Sequence, residues 1–333
     1  MQKGIIHMEC APSIIATASV VGSEEHKGPL RDTFDMFCDD NQFDADTWEQ
    51  AESEMQRRAL NLALNKAKLS SHDLDALFAG DLLNQCTGSA YGLCDFDVPY
   101  FGLYGACSTL AESLILSSLL VSKGIFDRTA AVVSSHFCSA ERQFRYPLEY
   151  GSQRTPTAQR TVTGAGAFIL ASEGNGPYIT EVLPGRVIDR GVKDINNMGA
   201  AMAPAAIDTI ERYFSESGAS PNDFDLILTG DLGFEGNGIL KDMLLSKGLD
   251  LRSNVGDCGL MIYSSETQDV HAGGSGCGCS AAVLAGYLMR RFTEGSLHNL
   301  LLVCTGAMMS PGSFLQGLSI PGIAHLVHIS ATR

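Results

Sequence analysis

An α/β fold built from two pseudo-symmetric halves is what this sequence predicts, on two observations. The first is a repeated phrase. Ser70–Leu82 aligns without gaps on Ser220–Leu232, and Ser70/Ser220, Asp73/Asp223, Asp75/Asp225, Gly80/Gly230, Asp81/Asp231 and Leu82/Leu232 are identical. Each copy reads as a helix end, a polar turn, a short buried strand and a Gly-Asp loop at the strand's C-terminal edge. The period is far too long for a solenoid unit and indicates a duplicated domain. The second observation is a repeated order. Cys107-Ser108, a helix, Gly124 and a strand return as Cys279-Ser280, a helix, Gly295 and a strand. The halves are expected at 1–173 and 174–333. Function should sit at their seam, where Asp81 and Asp231 both point.

The elements follow in order. Ser13–Gly22, apolar and small with a glycine turn after it, reads as a first strand rather than as a signal peptide. Thr47–Lys68 carries Ala51, Met55, Ala59, Leu62 and Ala63 at helical spacing. Val98–Tyr104 is the next strand candidate and runs into Gly105-Ala106-Cys107-Ser108-Thr109. Ser108–Lys123 has few charges, hence a buried helix, and Gly124 stops it. Ala130–Ser135 is a buried strand ending at His136. Glu141–Arg160 breaks the pattern with four arginines, three aromatics, two prolines and no periodicity. That composition suits a lid or an interface arm. Thr161–Ala171 returns to strand. In the second half Ala201–Tyr213 and Ile239–Lys247 read as helices and Asp225–Leu228 as a strand. Gly274–Ser280 opens a helix over Ala281–Phe292, and Leu300–Cys304 is the strand after it.

Composition sets the bounds. The chain has 333 residues, 45% apolar and 18% charged, as suits a tightly packed α/β protein. Its net charge of −15 argues against nucleic acid and against unaided docking on anionic lipid, since both need a basic face. No apolar run is long enough to span a bilayer. Ten cysteines are scattered without a CxxC pair, which reads as reduced thiols in a cytoplasmic protein.

Cys107 stands directly after a strand, on a small-residue turn, at the first turn of a buried helix. A helix N-terminus favours thiolate, and its free amides can bind an oxyanion or a carboxylate. Spacing alone leaves that reading beside another, in which Cys107 is a small apolar residue at a crowded turn. Cys279, in glycine-rich surroundings, suits packing better. Gly274-x-Gly276-x-Gly278 lacks the GxGxxG spacing of a dinucleotide loop, so it too reads as packing.

These features resemble a family. The Cys107 elbow, Thr163–Ala167 closing the first half and His271–Gly276 before a late helix resemble the thiolase superfamily, the ketoacyl synthases above all. More closely, Ala79–Gln85, Gly105–Thr109, Ala140–Pro147, Met202–Ala206, Leu226–Leu232 and Ala272–Cys277 resemble the stage V sporulation protein AD family of spore-forming bacteria. The likeness runs from about Gly28 to His325. It implies a thiolase-like, five-layered α-β-α-β-α sandwich that binds dipicolinic acid (pyridine-2,6-dicarboxylic acid) for uptake into the developing spore. It further implies a homodimer, membrane-protein partners of the same sporulation operon, and a peripheral place on the cytoplasmic side of the spore inner membrane. The alternative is a ketoacyl-synthase-like acyltransferase with Cys107 as nucleophile.

The residues weigh on that choice. Condensing enzymes of the superfamily pair the cysteine with His/His or His/Asn from the second half, and the first of these should stand where this chain has Gly230-Asp231-Leu232. No histidine occurs between Gly191 and Val270. A carboxylate there raises the thiol pKa and, unless protonated, donates nothing to an oxyanion. His271 is the candidate for the second partner. For binding, the candidate contacts are Cys107, Ser108, Asn84, Gln85, His136, Arg142, Arg145 and Arg154, the arginines suiting carboxylates or, equally, a dimer-contacting arm. Asp81 and Asp231 either cap turns through backbone hydrogen bonds or face the ligand through calcium. No resident cofactor is expected.

Overall fold

The two copies of the repeated phrase fold through the same hydrogen bonds. Ser70 and Ser220 each open a short turn closed by a capping box, and Asp73 and Asp223 accept from their amides at 2.8 Å in both halves. Asp75 accepts from the Asp127 and Arg128 amides at 2.7 and 2.9 Å. Asp225 accepts from those of His298 and Asn299 at 2.7 and 2.9 Å. Each aspartate thus ties the repeat strand to its neighbour and fixes the register. The identities seen in the sequence are these bonds.

The structure, a computed structural model, describes residues 4–144, 154–251 and 253–333. The first half supplies β1 (Ser13–Gly22), β2 (Ala76–Gly80), β3 (Tyr100–Gly102), β4 (Arg128–Ser135) and β5 (Gly164–Ala171). The second supplies β6 (Tyr178–Leu183), β7 (Leu226–Thr229), β8 (Val255–Asp257), β9 (Asn299–Ala307) and β10 (Gly322–Ser330). They lie in the order β8-β7-β9-β10-β6-β1-β5-β4-β2-β3. Read outward from the middle, the halves run 1-5-4-2-3 and 6-10-9-7-8. Directions match as well: β4, β2 and β3 are parallel, as are β9, β7 and β8, while β5 and β10 run antiparallel to both neighbours. The halves join along β6, which bridges to β1 at Ser13–Tyr178 and pairs antiparallel with Ile6–His7 of the first half.

Helices complete five layers. On one outer face α1 (Trp48–Ala67) buries Met55, Ala59 and Leu60 against Val20, Leu77 and Val132, with α2 (Thr87–Leu93) beside it. In the middle layer, α3 (Thr109–Ser122) packs Leu110 and Leu114 against both half-sheets. The short helix α4 (Phe137–Phe144) follows β4 and packs against α1 and the strand Arg160–Thr161. On the other outer face, α5 (Met198–Ser217) and α6 (Gly233–Ser246) cover the second half-sheet, with Met202, Ile210 and Tyr213 against Ile227, Val303 and Leu326. The helix α7 (Cys277–Val283), continuing through a π turn at Leu284–Leu288 into Met289–Thr293, is α3's partner in the middle. Burial on all sides explains why α3 and α7 carry few charges. The glycine run before and within α7 is packing: a Cβ on Gly278 would fall 2.2 Å from the Gly164 carbonyl oxygen and 2.6 Å from the Ser135 amide.

Several expectations shift. The irregular segment begins later than Glu141, because Glu141–Phe144 form the last turn of α4. Residues 145–153, including Arg145, lie outside the described residues. Arg160–Thr161 is a short strand paired with Gly274–Ser275. The strand expected over Val98–Tyr104 contracts to Tyr100–Gly102, since Pro99 has no amide for the ladder. Helix α6 starts at Gly233 rather than Ile239. Strands β6 and β10 were not expected from the sequence.

Candidate functional site

Strand β3 delivers the chain to a tight elbow. Ala106 takes φ 52°, a left-handed backbone unusual for a residue with a Cβ, and Ala106–Ser108 form a single 3-10 turn before α3. The elbow is held by its own side chains. Ser108 Oγ donates to the Gly105 carbonyl at 2.6 Å, Thr109 Oγ1 donates to that of Ala106 at 2.7 Å, and the Gly105 amide donates to Thr109 Oγ1 at 3.0 Å. Ser108 is therefore buried and engaged. The second half presses on the same elbow, for a Cβ on Gly306 of β9 would lie 2.3 Å from the Gly105 carbonyl oxygen. This contact puts Cys107 at the seam.

Half-buried Cys107 lies on a cleft of about 550 Å3, open mouth included. Apolar walls come from both halves: Leu82, Tyr104 and Phe144 from the first, Met198, Met202 and Met309 from the second. The polar lining is Cys107, Glu141, Thr161 and Ser275. Thr161 Oγ1 donates to Glu141 at 3.2 Å. Among the described residues no Lys, Arg or His lines the cleft.

Asp231 sits beside the thiol and is buried. Its Oδ2 accepts from the Gly276 amide at 2.8 Å and from Ser275 Oγ at 3.1 Å, and its Oδ1 accepts from Thr305 Oγ1 at 2.8 Å. Ser275 Oγ is in turn 4.0 Å from Cys107 Sγ. Burial raises the Asp231 pKa to about 6, so the carboxylate is still ionised at neutral pH. The Cys107 thiol is pushed well up by burial and, next, by Asp231. The helix N-terminus does not prevail, and the resting thiol is protonated.

The other sequence candidates do not converge on Cys107. Asp81 faces the opposite way, under α1. Its Oδ1 accepts from the Leu83 amide at 2.8 Å, and its Oδ2 from the Ser89 amide and hydroxyl at 2.7 and 2.6 Å. The sequence-equivalent pair, Asp81 and Asp231, thus has diverged roles: in the second half the loop amides of Leu232 and Gly233 go to Asp257 instead, at 2.7 and 3.1 Å. That exchange frees Asp231 for the seam. All four oxygens of Asp81 and Asp231 accept protein donors. Among the described residues, no three His, Cys, Asp or Glu side chains are grouped to hold a metal ion.

His136 is buried with both nitrogens engaged: Nδ1 accepts from the Cys138 amide at 3.2 Å, leaving Nε2–H to donate to the Asn41 carbonyl at 2.8 Å. Burial lowers its pKa, so it is neutral. His271 turns outward, with Nδ1 2.6 Å from the Thr155 carbonyl and Nε2 2.9 Å from Asp269. Arg154 bonds the Asp269 carbonyl and carboxylate at 2.8 and 2.9 Å. Asn84, Gln85 and Arg142 share a separate shallow pocket, where Arg142 pairs with Glu49. Sequence reasoning missed Glu141, Thr161, Ser275, Thr305 and the methionine wall. The Gly-rich stretch around Ser275 and the Met202–Ala206 phrase were the only signals, and neither spacing says which wall they form.

A known family fits this geometry. The family model described as Stage V sporulation protein AD (SpoVAD) matches residues 2–330. The chain belongs to that family. It is 43% identical, over 310 residues, to the stage V sporulation protein AD of Bacillus subtilis (strain 168), covering 93% of this chain and 91% of that one. Among solved structures it is similar to 3-oxoacyl-[acyl-carrier-protein] synthase III from Aquifex aeolicus VF5, with TM-score 0.58, 13% identity and 96% and 99% of the two chains covered. A variant of OleA from Xanthomonas campestris matches with TM-score 0.61 and 14% identity over 98% and 99%. At such identities these two carry the fold alone: a sporulation-family protein on a ketoacyl-synthase-like, thiolase-type scaffold.

Proposed function

We propose that the protein serves sporulation as a ligand-binding, non-condensing relative of the ketoacyl synthases, and that its ligand is dipicolinic acid. The identity of the ligand rests on the family resemblance. The observation that carries binding over acyl transfer is Asp231: an acidic group stands where a condensing enzyme needs a base or an oxyanion donor, and it adds to the burial that keeps the Cys107 thiol protonated. The lining bears on the form bound. A bare dianion would meet no Lys, Arg or His among the described lining residues, and so would itself be a buried charge without a cation. The calcium chelate is neutral overall and offers a flat ring to Tyr104, Phe144 and the methionines. Calorimetry should give saturable heat with dipicolinic acid and calcium together, weak heat with either alone, and none for Ala307→Trp, which fills the cleft. Absence of binding in every condition sinks the proposal; binding unchanged in Ala307→Trp sinks the site.

We propose further that the protein is a homodimer joined through β3. All three residues of this edge strand are exposed, and Tyr91, Tyr100 and Phe101 are 74%, 38% and 46% exposed. Its pseudo-equivalent, β8, carries no aromatic residue. An uncharged aromatic edge lacks the features that normally block strand pairing, and a twofold axis satisfies it with a second copy. Sedimentation should show a dimer for wild type and a monomer for Phe101→Asp. Wild type monomeric at micromolar concentration would count against it. The family resemblance implies operon-encoded membrane partners on the cytoplasmic face of the spore inner membrane. No helix among the described residues is long and apolar enough to cross a membrane.

A further inference from the structure

The polar floor of the cleft is one-sided in its hydrogen bonding. Ser275 and Thr161 stand in register across the short parallel ladder of Gly274–Ser275 with Arg160–Thr161. The ladder is closed by the Arg160 amide on the Gly273 carbonyl and by the Val162 amide on that of Ser275, both at 2.8 Å. Register partners on neighbouring strands put their side chains on one face, about 5 Å apart. Both of these side chains line the cleft. A hydroxyl has one hydrogen to give. Thr161 Oγ1 gives its hydrogen to Glu141 at 3.2 Å, and Ser275 Oγ gives its own to Asp231 at 3.1 Å. What the two hydroxyls keep for the cleft is lone pairs. The Cys107 thiol, 4.0 Å from Ser275 Oγ, can therefore approach that oxygen only as a donor. Gln159 locks the arrangement: its Nε2 donates to the carbonyls of Asp231 and Gly274 at 2.7 and 2.9 Å, tying the Asp231 loop to the ladder.

We propose that the Ser275 and Thr161 hydroxyl oxygens form a seat for a hard divalent cation that the ligand itself carries in. This seat presupposes the reading of the cleft as a site for the calcium–dipicolinate chelate, and supplies the end of it that meets the metal. Calcium takes roughly six to eight ligands, mostly oxygen, in a flexible geometry. A planar chelator with its carboxylates and ring nitrogen covers one side of the ion, and water fills the other in solution. Two neighbouring oxygens whose hydrogens point away replace such water without turning a hydrogen towards the ion. The carboxylates behind them orient the hydroxyls and strengthen them as acceptors. Calcium without its chelator has no such site, since among the described residues no three His, Cys, Asp or Glu side chains are grouped for a metal ion. The cation has to arrive already chelated, with Tyr104, Phe144, Met198 and Met202 to receive the ring. The seat thus selects the loaded chelate over the bare acid and over the bare ion.

Terbium, a luminescent hard cation close to calcium in size, tests the seat. The O–H bonds of coordinated water quench its emission, so its lifetimes in light and heavy water together count the waters it holds. On binding to wild type, the equimolar terbium chelate of dipicolinic acid should lose roughly one or two coordinated waters, as protein oxygens replace them. Ser275→Ala with Thr161→Val removes both oxygens at nearly constant volume. That variant should bind the calcium chelate about tenfold more weakly by calorimetry, and terbium bound to it should keep the waters of the free chelate. Its melting curve checks the fold, and the wild-type lifetime decides the matter even where the double variant does not fold. A terbium chelate that binds wild type and keeps every water overturns the seat while leaving the ligand in place. So does a double variant that binds the calcium chelate as tightly as wild type. Wild type that binds neither chelate overturns the seat and the proposed function together.

Discussion

Glu52→Gln should make the protein more stable than wild type at pH 8 and nearly equal to it at pH 4.5. Glu52 is fully buried in α1, accepting from Ser134 Oγ at 2.9 Å and Ser139 Oγ at 2.7 Å. Burial first, and then the nearby Asp81, raise its pKa from 4.5 to about 8. Asp81 is raised too, chiefly by burial. A carboxyl with a raised folded pKa contributes its full share to stability below its unfolded value. As pH climbs from 4.5 towards 8, the unfolded chain releases the proton and the folded one keeps it. Stability therefore falls by up to ~1.4 kcal/mol per pH unit for this one proton. Glutamine keeps the shape, can still bond both serines and has no proton to lose. The gain at the alkaline end is a few kcal/mol, readable as a rise of several degrees in melting midpoint. Coincident melting curves for the two proteins at both pH values would show that Glu52 ionises in the fold without penalty.

The same residue marks what the sequence could not convey. The duplication was legible because Asp73, Asp75 and their copies make short-range or neighbouring-strand bonds that leave identical residues at identical spacing. The middle-layer helices were legible because burial on every side strips them of charge. Strand β10 was not, since His325 and His328 interrupt its apolar alternation. His325 accepts from the Gly185 amide at 3.0 Å, and His328 pairs with Thr180 at 3.0 Å; neither partner is near in sequence. The site was half legible. Cys107 and Asp231 stood out; the thiol pKa is raised by burial first, which the sequence did not convey, and then by Asp231. Asp81 looked like the twin of Asp231 because the phrase repeats, yet the seam gives one a buried loop and the other the cysteine. His136 and His271 drew notice as ring nitrogens near motifs. What decides their use is the Asn41 and Thr155 carbonyls, whose positions no local pattern predicts.

Asp231→Asn should make Cys107 react with iodoacetamide about tenfold faster at alkaline pH, as expected when the thiol pKa falls by about one unit. The carboxylate is the second cause of the thiol's raised pKa, and the amide removes its charge while keeping an oxygen for the Gly276 amide or Thr305. Burial, the larger cause, remains, so the thiol stays less acidic than an exposed one. The pH profile separates charge from disturbance. Asp231 protonates near pH 6, so wild type and variant should converge below that value and part above it. A variant faster by the same factor at every pH would mean a loosened cleft instead. Because Cys10 and Cys94 are exposed and will also react, the modified Cys107 peptide must be followed by mass, with Cys107→Ala as control. Neither protein should accumulate an acyl adduct from acetyl-coenzyme A. A more ordinary thiol still lacks the imidazole that would activate it, since His136 is spent on Asn41 and His271 on Thr155 and Asp269. A stoichiometric adduct on wild type, lost in Cys107→Ala, would return the protein to the condensing enzymes.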